Sequence, residues 1–361
     1  MLYRLLYPLH DTIGAFNVFR YITFRSALAT LTALVLSLGL GGFLIDKLRR
    51  LQIGQHIREE GPQSHHSKKG TPTMGGILII MSVVIPTLLW ADLANVFVWI
   101  AMTAMVAFGL IGFCDDYRKL TKRRNLGLTA RAKFALQVAV ASAIGISLVY
   151  LAHLGLFTTR FSLPFLKGWT PDLGWFYAVF IVVVIVGAAN AVNLTDGLDG
   201  LAIGSTLIAA ATFAILSYVA GNAVAANYLG IIQVRGAGEL TVFCGALVGA
   251  SLGFLWYNCN PAEVFMGDVG SMALGGAIGT VAVLTKQEVL LVLVGGLFVL
   301  EALSVIIQVA SFRLTGKRVF RMAPLHHHFE LKGWAEPKVI IRFWILAVLF
   351  ALMSLSTLKL R

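Results

Sequence analysis

About ten runs of mostly apolar residues, each near the length of a membrane-spanning helix, divide this chain. They lie near Phe24–Ile45, Gly75–Trp90, Val96–Cys114, Phe134–Leu154, Trp175–Val192, Leu201–Ala220, Leu240–Trp256, Ser271–Leu284, Val289–Ser311 and Val339–Leu358. Crossing a bilayer takes about 20 residues of helix, and lipid offers no partner for an unpaired backbone group. The runs therefore predict an all-α, polytopic integral membrane protein with about ten transmembrane helices. Only 13% of the 361 residues are charged, about half the share in a soluble domain. No polar stretch is long enough to fold alone, so 1–361 reads as a single transmembrane domain. Phe161 to Leu173, with Pro164 and Pro171, reads as a loop or short hairpin. Residues before Phe24 lack the apolar core and cleavage site of a signal peptide, so the first span is expected to be an uncleaved anchor. Cys114, Cys244 and Cys259 form no CxxC pair and lie in or beside apolar runs, which argues against a disulfide or zinc site.

The basic residues sort by loop. Taken alternately, connections 46–74, 115–133, 193–200, 257–270 and 312–338 hold 19 of the 29 Lys and Arg, and the opposite set with both termini holds 8. The positive-inside rule places the first set in the cytoplasm and both termini in the periplasm. The net charge of +12 thus fits anionic lipid and orientation signals, not nucleic acid. One helix more or fewer would break the alternation. Five polar clusters follow the same parity and fall on one face of the membrane: Lys68–Gly76, Asp115-Asp116, Asn193–Gly200, Asn258–Ser271 and His326–His328.

At Asp115-Asp116 an apolar run ends in two adjacent carboxylates, with Lys and Arg behind them. Neighbouring carboxylates repel and are costly near lipid, so a metal ion or the basic loop must balance them; a polar helix end is the plainer reading. Asp196 and Asp199, three apart, would share one face of a continuing helix. Asp199 also suits an N-cap before the Leu201 run, whereas Asp196 with Asn193 offers the mixed donors and acceptors that a sugar, ribose or base requires. Gly197 and Gly200 permit tight turns. Asp268 lies between Gly267 and Gly270 at the start of another run, where amides suit phosphate and a carboxylate needs a divalent cation in between; an N-cap is the simpler alternative. Phe265 suits either stacking on a planar ring or anchoring at the interface. Lys68 and Thr73 lie in a basic, glycine-rich segment without the GxxxxGK[ST] order. Adjacent helical side chains point ~100° apart, so His326, His327 and His328 do not readily chelate one ion and read better as phosphate or sugar ligands, beside Arg321 and Lys332. Glu301 and Gln308, seven apart, share a helix face, and an intramembrane Glu is a functional suspect; its role stays open.

Together these motifs resemble the phospho-N-acetylmuramoyl-pentapeptide transferases of peptidoglycan synthesis. The resemblance rests on Gly70–Gly76, Asp115–Lys119, Asn190–Ala202, Asn260–Ser271 and Arg321–Trp334 and covers nearly the whole chain. The aspartate motifs are shared across the polyprenyl-phosphate sugar-1-phosphate transferases; the histidine run within Pro-Leu-His-His-His-Phe-Glu-Leu points to the muramoyl-peptide branch. Val269 stands where many relatives have Thr.

The resemblance implies a ten-helix, Mg2+-dependent homodimer in the bacterial inner membrane, with its active site facing the cytoplasm. It would move phospho-MurNAc-pentapeptide from UDP-MurNAc-pentapeptide to undecaprenyl phosphate, giving lipid I and UMP. Asp115, Asp116 and Asp268 would be catalytic, with Asp268 the metal ligand, which frees the pair for the carrier side. Asn193, Asp196, Asn258 and Phe265 would line the nucleoside and sugar cleft, with Lys68 and Thr73 close by. His326, His327 and His328 would hold the muramoyl-peptide or its diphosphate. One of the paired aspartates would prepare the carrier phosphate for direct attack; a two-step path through an aspartyl-phosphate is the rival. Two other functions stand beside this one. A UDP-N-acetylglucosamine transferase is disfavoured by the histidine context. An ion-coupled transporter is disfavoured by acids at helix ends and by the lack of a repeat.

Overall fold

The apolar runs fold as helices because only internal hydrogen bonding satisfies their backbone in lipid. A computed structural model describes residues 1–51, 70–121, 127–164 and 169–359; Lys68 lies outside them. Ten helices form the body: α1 (Ile22–Arg50), α2 (Gly76–Trp90), α3 (Val96–Thr121), α4 (Ala130–His153), α5 (Phe176–Thr195), α6 (Leu201–Gly221), α7 (Leu240–Asn258), α8 (Gly267–Leu284), α9 (Gly296–Thr315) and α10 (Glu336–Ser356). Among the described residues, nine helices are long and apolar enough to cross a membrane, and α2 is the shorter one.

With 15 residues, α2 is only about 22 Å long. It nevertheless joins both faces. At one end the Gly75 amide donates to Phe265 O at 2.9 Å, beside the start of α8. At the other, Trp90 O accepts from Arg25 at 3.2 Å.

Two expectations change. α3 continues seven residues past Cys114, to Thr121, so Asp115 and Asp116 sit within a helix and not at the start of a loop. The ninth run is not one span: a short helix, Leu290–Val294, breaks at Gly295 before α9 begins. Two consecutive glycines weaken helix there. The Phe161–Leu173 stretch does turn back on itself, with Phe161 N donating to Pro171 O at 2.9 Å and Leu173 N to Thr159 O at 3.3 Å.

α8 is the axis of the bundle. Every residue from Val269 to Leu284 is buried, and α2, α3 and α5 pack around it. Gly76 on α2 and Gly112 on α3 let these helices press on its first turn. A Cβ at Gly76 would collide with Gly270 N, and one at Gly112 with Asp268 O. Gly112→Ala is expected to destabilise the fold by about 1–3 kcal/mol, seen as a lower thermal midpoint in detergent.

The face away from α8's first turn is tied by buried ion pairs. Arg25, 2% exposed, donates to both oxygens of Glu239 at 2.7 and 2.6 Å and so clamps α1 to the start of α7. Lys286 pairs with Glu288 at 3.3 Å, and the Tyr177 hydroxyl donates to the same carboxylate.

Candidate active site

The site begins with helix periodicity. On α3, Lys119 lies four residues beyond Asp115 and three beyond Asp116, so all three share one face. Lys119 Nζ stands 2.6 Å from Asp115 Oδ2 and 3.2 Å from Asp116 Oδ1. The same ammonium reaches across to Asp268 Oδ2, in the first turn of α8, at 2.9 Å. Oxygens of the three carboxylates lie within 4.8 Å of one another. The three carboxylates expected to act together therefore form a single cluster, because the glycine contacts bring α3 against the α8 start.

Each acid is also held by a backbone amide or a neighbouring side chain. Asp115 Oδ1 accepts from Leu128 N at 2.8 Å. Asp116 Oδ2 accepts from Val269 N at 3.2 Å, so Val269 contributes through its amide and the missing threonine hydroxyl leaves this contact intact. Asp268 accepts from Lys133 Nζ at 2.8 Å and from Asn193 Nδ2 at 2.9 Å. Asn193 Nδ2 also donates to Ser271 Oγ at 2.8 Å.

Thr73 joins the cluster from a third direction. Its segment is stitched to the α8 approach by Phe265 N to Pro72 O at 2.8 Å and Gly76 N to Met266 O at 2.9 Å. A Cβ at Gly267 would press on both Thr73 Oγ1 and Asp116 Oδ2. Phe265 is half-buried beside this seam. Asp196 is half-buried just past the end of α5. Burial, then repulsion from Asp268, Asp116 and Asp199, pushes its carboxyl well above the usual range.

The Glycosyl transferase family 4 model matches residues 98–286, and the Phospho-N-acetylmuramoyl-pentapeptide-transferase signature 1 matches 68–80. A Phospho-N-acetylmuramoyl-pentapeptide-transferase of Desulfatibacillum aliphaticivorans is 61% identical over 366 residues, covering 100% of both chains. Proteins of the same name from Koribacter versatilis (strain Ellin345) and Citrifermentans bemidjiense (strain ATCC BAA-1014 / DSM 16622 / JCM 12645 / Bem) are each 58% identical, again over 100% of both chains. The chain belongs to the phospho-N-acetylmuramoyl-pentapeptide-transferase family.

Other residues singled out in the sequence of this family member take less direct places. Asn258 turns its amide inward: Nδ2 donates to Val264 O at 2.8 Å, and Oδ1 accepts from Gly200 N at 3.1 Å. It braces two loops. Asp199 is not the N-cap of α6, a position held by Gly200; its Oδ2 accepts from Asn260 Nδ2 at 3.2 Å and Ala262 N at 3.0 Å. The three histidines lie on a short helix, Leu325–Glu330, and meet three different partners. His326 Nδ1 is 3.2 Å from Glu301 Oε1, and His327 Nδ1 is 2.8 Å from Glu330 Oε2. His328 Nδ1 accepts from Arg321 N at 3.1 Å. His326 is fully buried, so of the three it is the one turned into the fold.

Sequence reasoning gave neither site lysine a role of its own, although the basic residues after Asp115-Asp116 were expected to balance the pair and Lys119 does so. Lys119 had a signal, its spacing from the paired acids on one helix. Lys133 had none: its partner Asp268 is 135 residues away, and it counted only as loop charge. Both are cations aimed at carboxylates, and both suit phosphate when a substrate displaces those contacts.

Proposed function

We propose that this transferase family member moves phospho-N-acetylmuramoyl-pentapeptide from its UDP derivative to undecaprenyl phosphate, forming lipid I and UMP. The observation that carries this reading is the convergence of Asp115, Asp116 and Asp268 on one ammonium, Lys119 Nζ. Asn193 and Thr73 adjoin it, and Asp196 lies within electrostatic reach. The 19 basic residues of the alternate loops support an orientation with this face in the cytoplasm of a bacterial inner membrane and both termini in the periplasm. A water-soluble nucleotide and a lipid phosphate meet only at such an interface.

The acid cluster fits Mg2+. It is an all-oxygen donor set, hard as magnesium prefers, and a cation of this chain already sits at its centre. We assign Asp268, with Asp115 and Asp116 beside it, to hold the ion. When bound, the ion would offset charge on the diphosphate and on the departing UMP. The chain's own groups do the rest. Lys119 and Lys133, released from Asp268, are placed to draw phosphate oxygens toward the acids. Asp115 or Asp116 orients the carrier phosphate or takes its proton. Asn193 and Asp196 contact the nucleotide sugar, and Phe265 offers a ring beside them. His327 and His328, on the histidine helix, extend the anion-binding rim with Arg321. The family resemblance carries a homodimer as part of this reading.

The assay uses detergent-purified protein with undecaprenyl phosphate and each UDP-sugar in turn, with magnesium or EDTA. UMP is expected only with UDP-MurNAc-pentapeptide and only with magnesium. UMP from UDP-N-acetylglucosamine alone would assign the chain to another branch, and UMP from neither would remove the transferase reading.

A further inference from the structure

The acid cluster makes no use of Glu301, yet this residue is fully buried in the early turns of α9. A buried carboxylate needs donors, because an unpaired buried charge is strongly destabilising. Both oxygens of Glu301 meet the histidine helix. Oε2 accepts from Leu325 N at 2.7 Å, and Oε1 stands 3.2 Å from His326 Nδ1. That pair is at ion-pair distance without hydrogen-bond geometry, so it is the carboxylate's charge that favours a proton on Nδ1. The other ring nitrogen, Nε2, also has no hydrogen-bond partner among the described residues and lies against Gly197. A Cβ at Gly197 would collide with that nitrogen, although the residue's φ is not in the left-handed region. Glycine is therefore needed at 197 to admit the ring, not to make the turn. Gly197 directly follows Asp196, so the imidazole forms the wall behind the turn that presents Asp196.

We propose that Glu301 is a positioning residue for the nucleotide-sugar side of the site. It holds His326 with its proton on Nδ1 and keeps Nε2 bare against the Asp196–Gly197 turn. The proposal rests on the transferase reading above for its kinetic consequence, not for its structural one.

The chemistry of the carboxylate makes this testable. Glu301 can accept at both oxygens, whereas glutamine has one acceptor and one donor. In Glu301→Gln the amide oxygen is needed by the Leu325 N–H, so its NH2 faces Nδ1 and moves the ring proton to Nε2. Selective 15N-histidine spectra of the full-length protein in detergent, with His326→Asn to assign the signal, read the tautomer directly. The wild type is expected to carry the proton on Nδ1 and Glu301→Gln on Nε2. The KM for the nucleotide sugar should rise roughly tenfold or more, as when a carboxylate that orients a metal-bound histidine is removed, with the KM for the carrier lipid unchanged. Gly197→Ala, which displaces the ring without touching Glu301, should reproduce the rise in KM.

A wild-type ring protonated at Nε2, alone or together with Nδ1, overturns the proposal even if Glu301→Gln does not fold. An unchanged tautomer in Glu301→Gln overturns it too, as does a switched tautomer with unchanged KM. Absence of UMP from the wild type with every UDP-sugar would instead count against the transferase reading and leave the tautomer result to stand.

Discussion

Asp268→Asn is expected to lower magnesium-dependent UMP release by at least about 10^2–10^3-fold, the scale seen when one preorganised charge-stabilising group is lost. The asparagine keeps the shape of the side chain. It loses the charge that Lys119 at 2.9 Å and Lys133 at 2.8 Å converge on, and its NH2 would face an ammonium or displace the Asn193 donor at 2.9 Å. Lys119 retains Asp115 and Asp116, and Lys133 retains Asn193 Oδ1 at 3.5 Å. The fold should therefore survive, with a thermal midpoint close to that of the wild type. The comparison is UMP release across a magnesium titration, with thermal unfolding on the same preparations. Near-normal turnover in a folded Asp268→Asn protein would take Asp268 out of the metal role.

The second large effect concerns the cation at the centre. Lys119→Met leaves three carboxylates, with oxygens within 4.8 Å of one another, facing Lys133 as their remaining cation among the described residues. Lys119 is about one-third exposed, so its loss lies between the surface and buried cases, on the order of 2 kcal/mol. The more telling result is the response to magnesium. If ammonium and ion compete for the same oxygens, removing the ammonium raises the affinity for the ion. Stabilisation by a bound ligand grows with its concentration over Kd, so magnesium should raise the midpoint of Lys119→Met more than that of the wild type. Equal shifts in the two proteins would mean that the ion binds elsewhere. Turnover of the variant is expected to fall as well, since among the described residues this lysine is one of two cations paired with Asp268.

How far the sequence carried these conclusions depends on the range of each signal. Apolar length is local and strong, so nearly every span was legible, and the basic loops supplied their alternation. The breakdown at Gly295 was not legible, because hydropathy runs unbroken through Val289–Ser311 while the helix does not. The acids of the site were legible as types in a setting. Their convergence was not, since it depends on where α8 meets α3. Asp199 was ambiguous for a related reason: a short polar side chain before a helix suits a cap, but the partners that claimed it, Asn260 and Ala262, come from another loop. Gly197 shows the same limit. Beside Gly200 it read as turn chemistry, and only the placement of His326 shows that the glycine makes room for a ring.

Gly76 and Gly112 have a consequence for genetics. Neither carries a group able to touch a substrate, yet each sets how closely its helix approaches the first turn of α8. A random screen for loss of function with normal membrane insertion should therefore recover alleles at these two codons alongside those at the aspartates. Such alleles should be temperature-sensitive, and second-site suppressors should map to small residues on the facing helix.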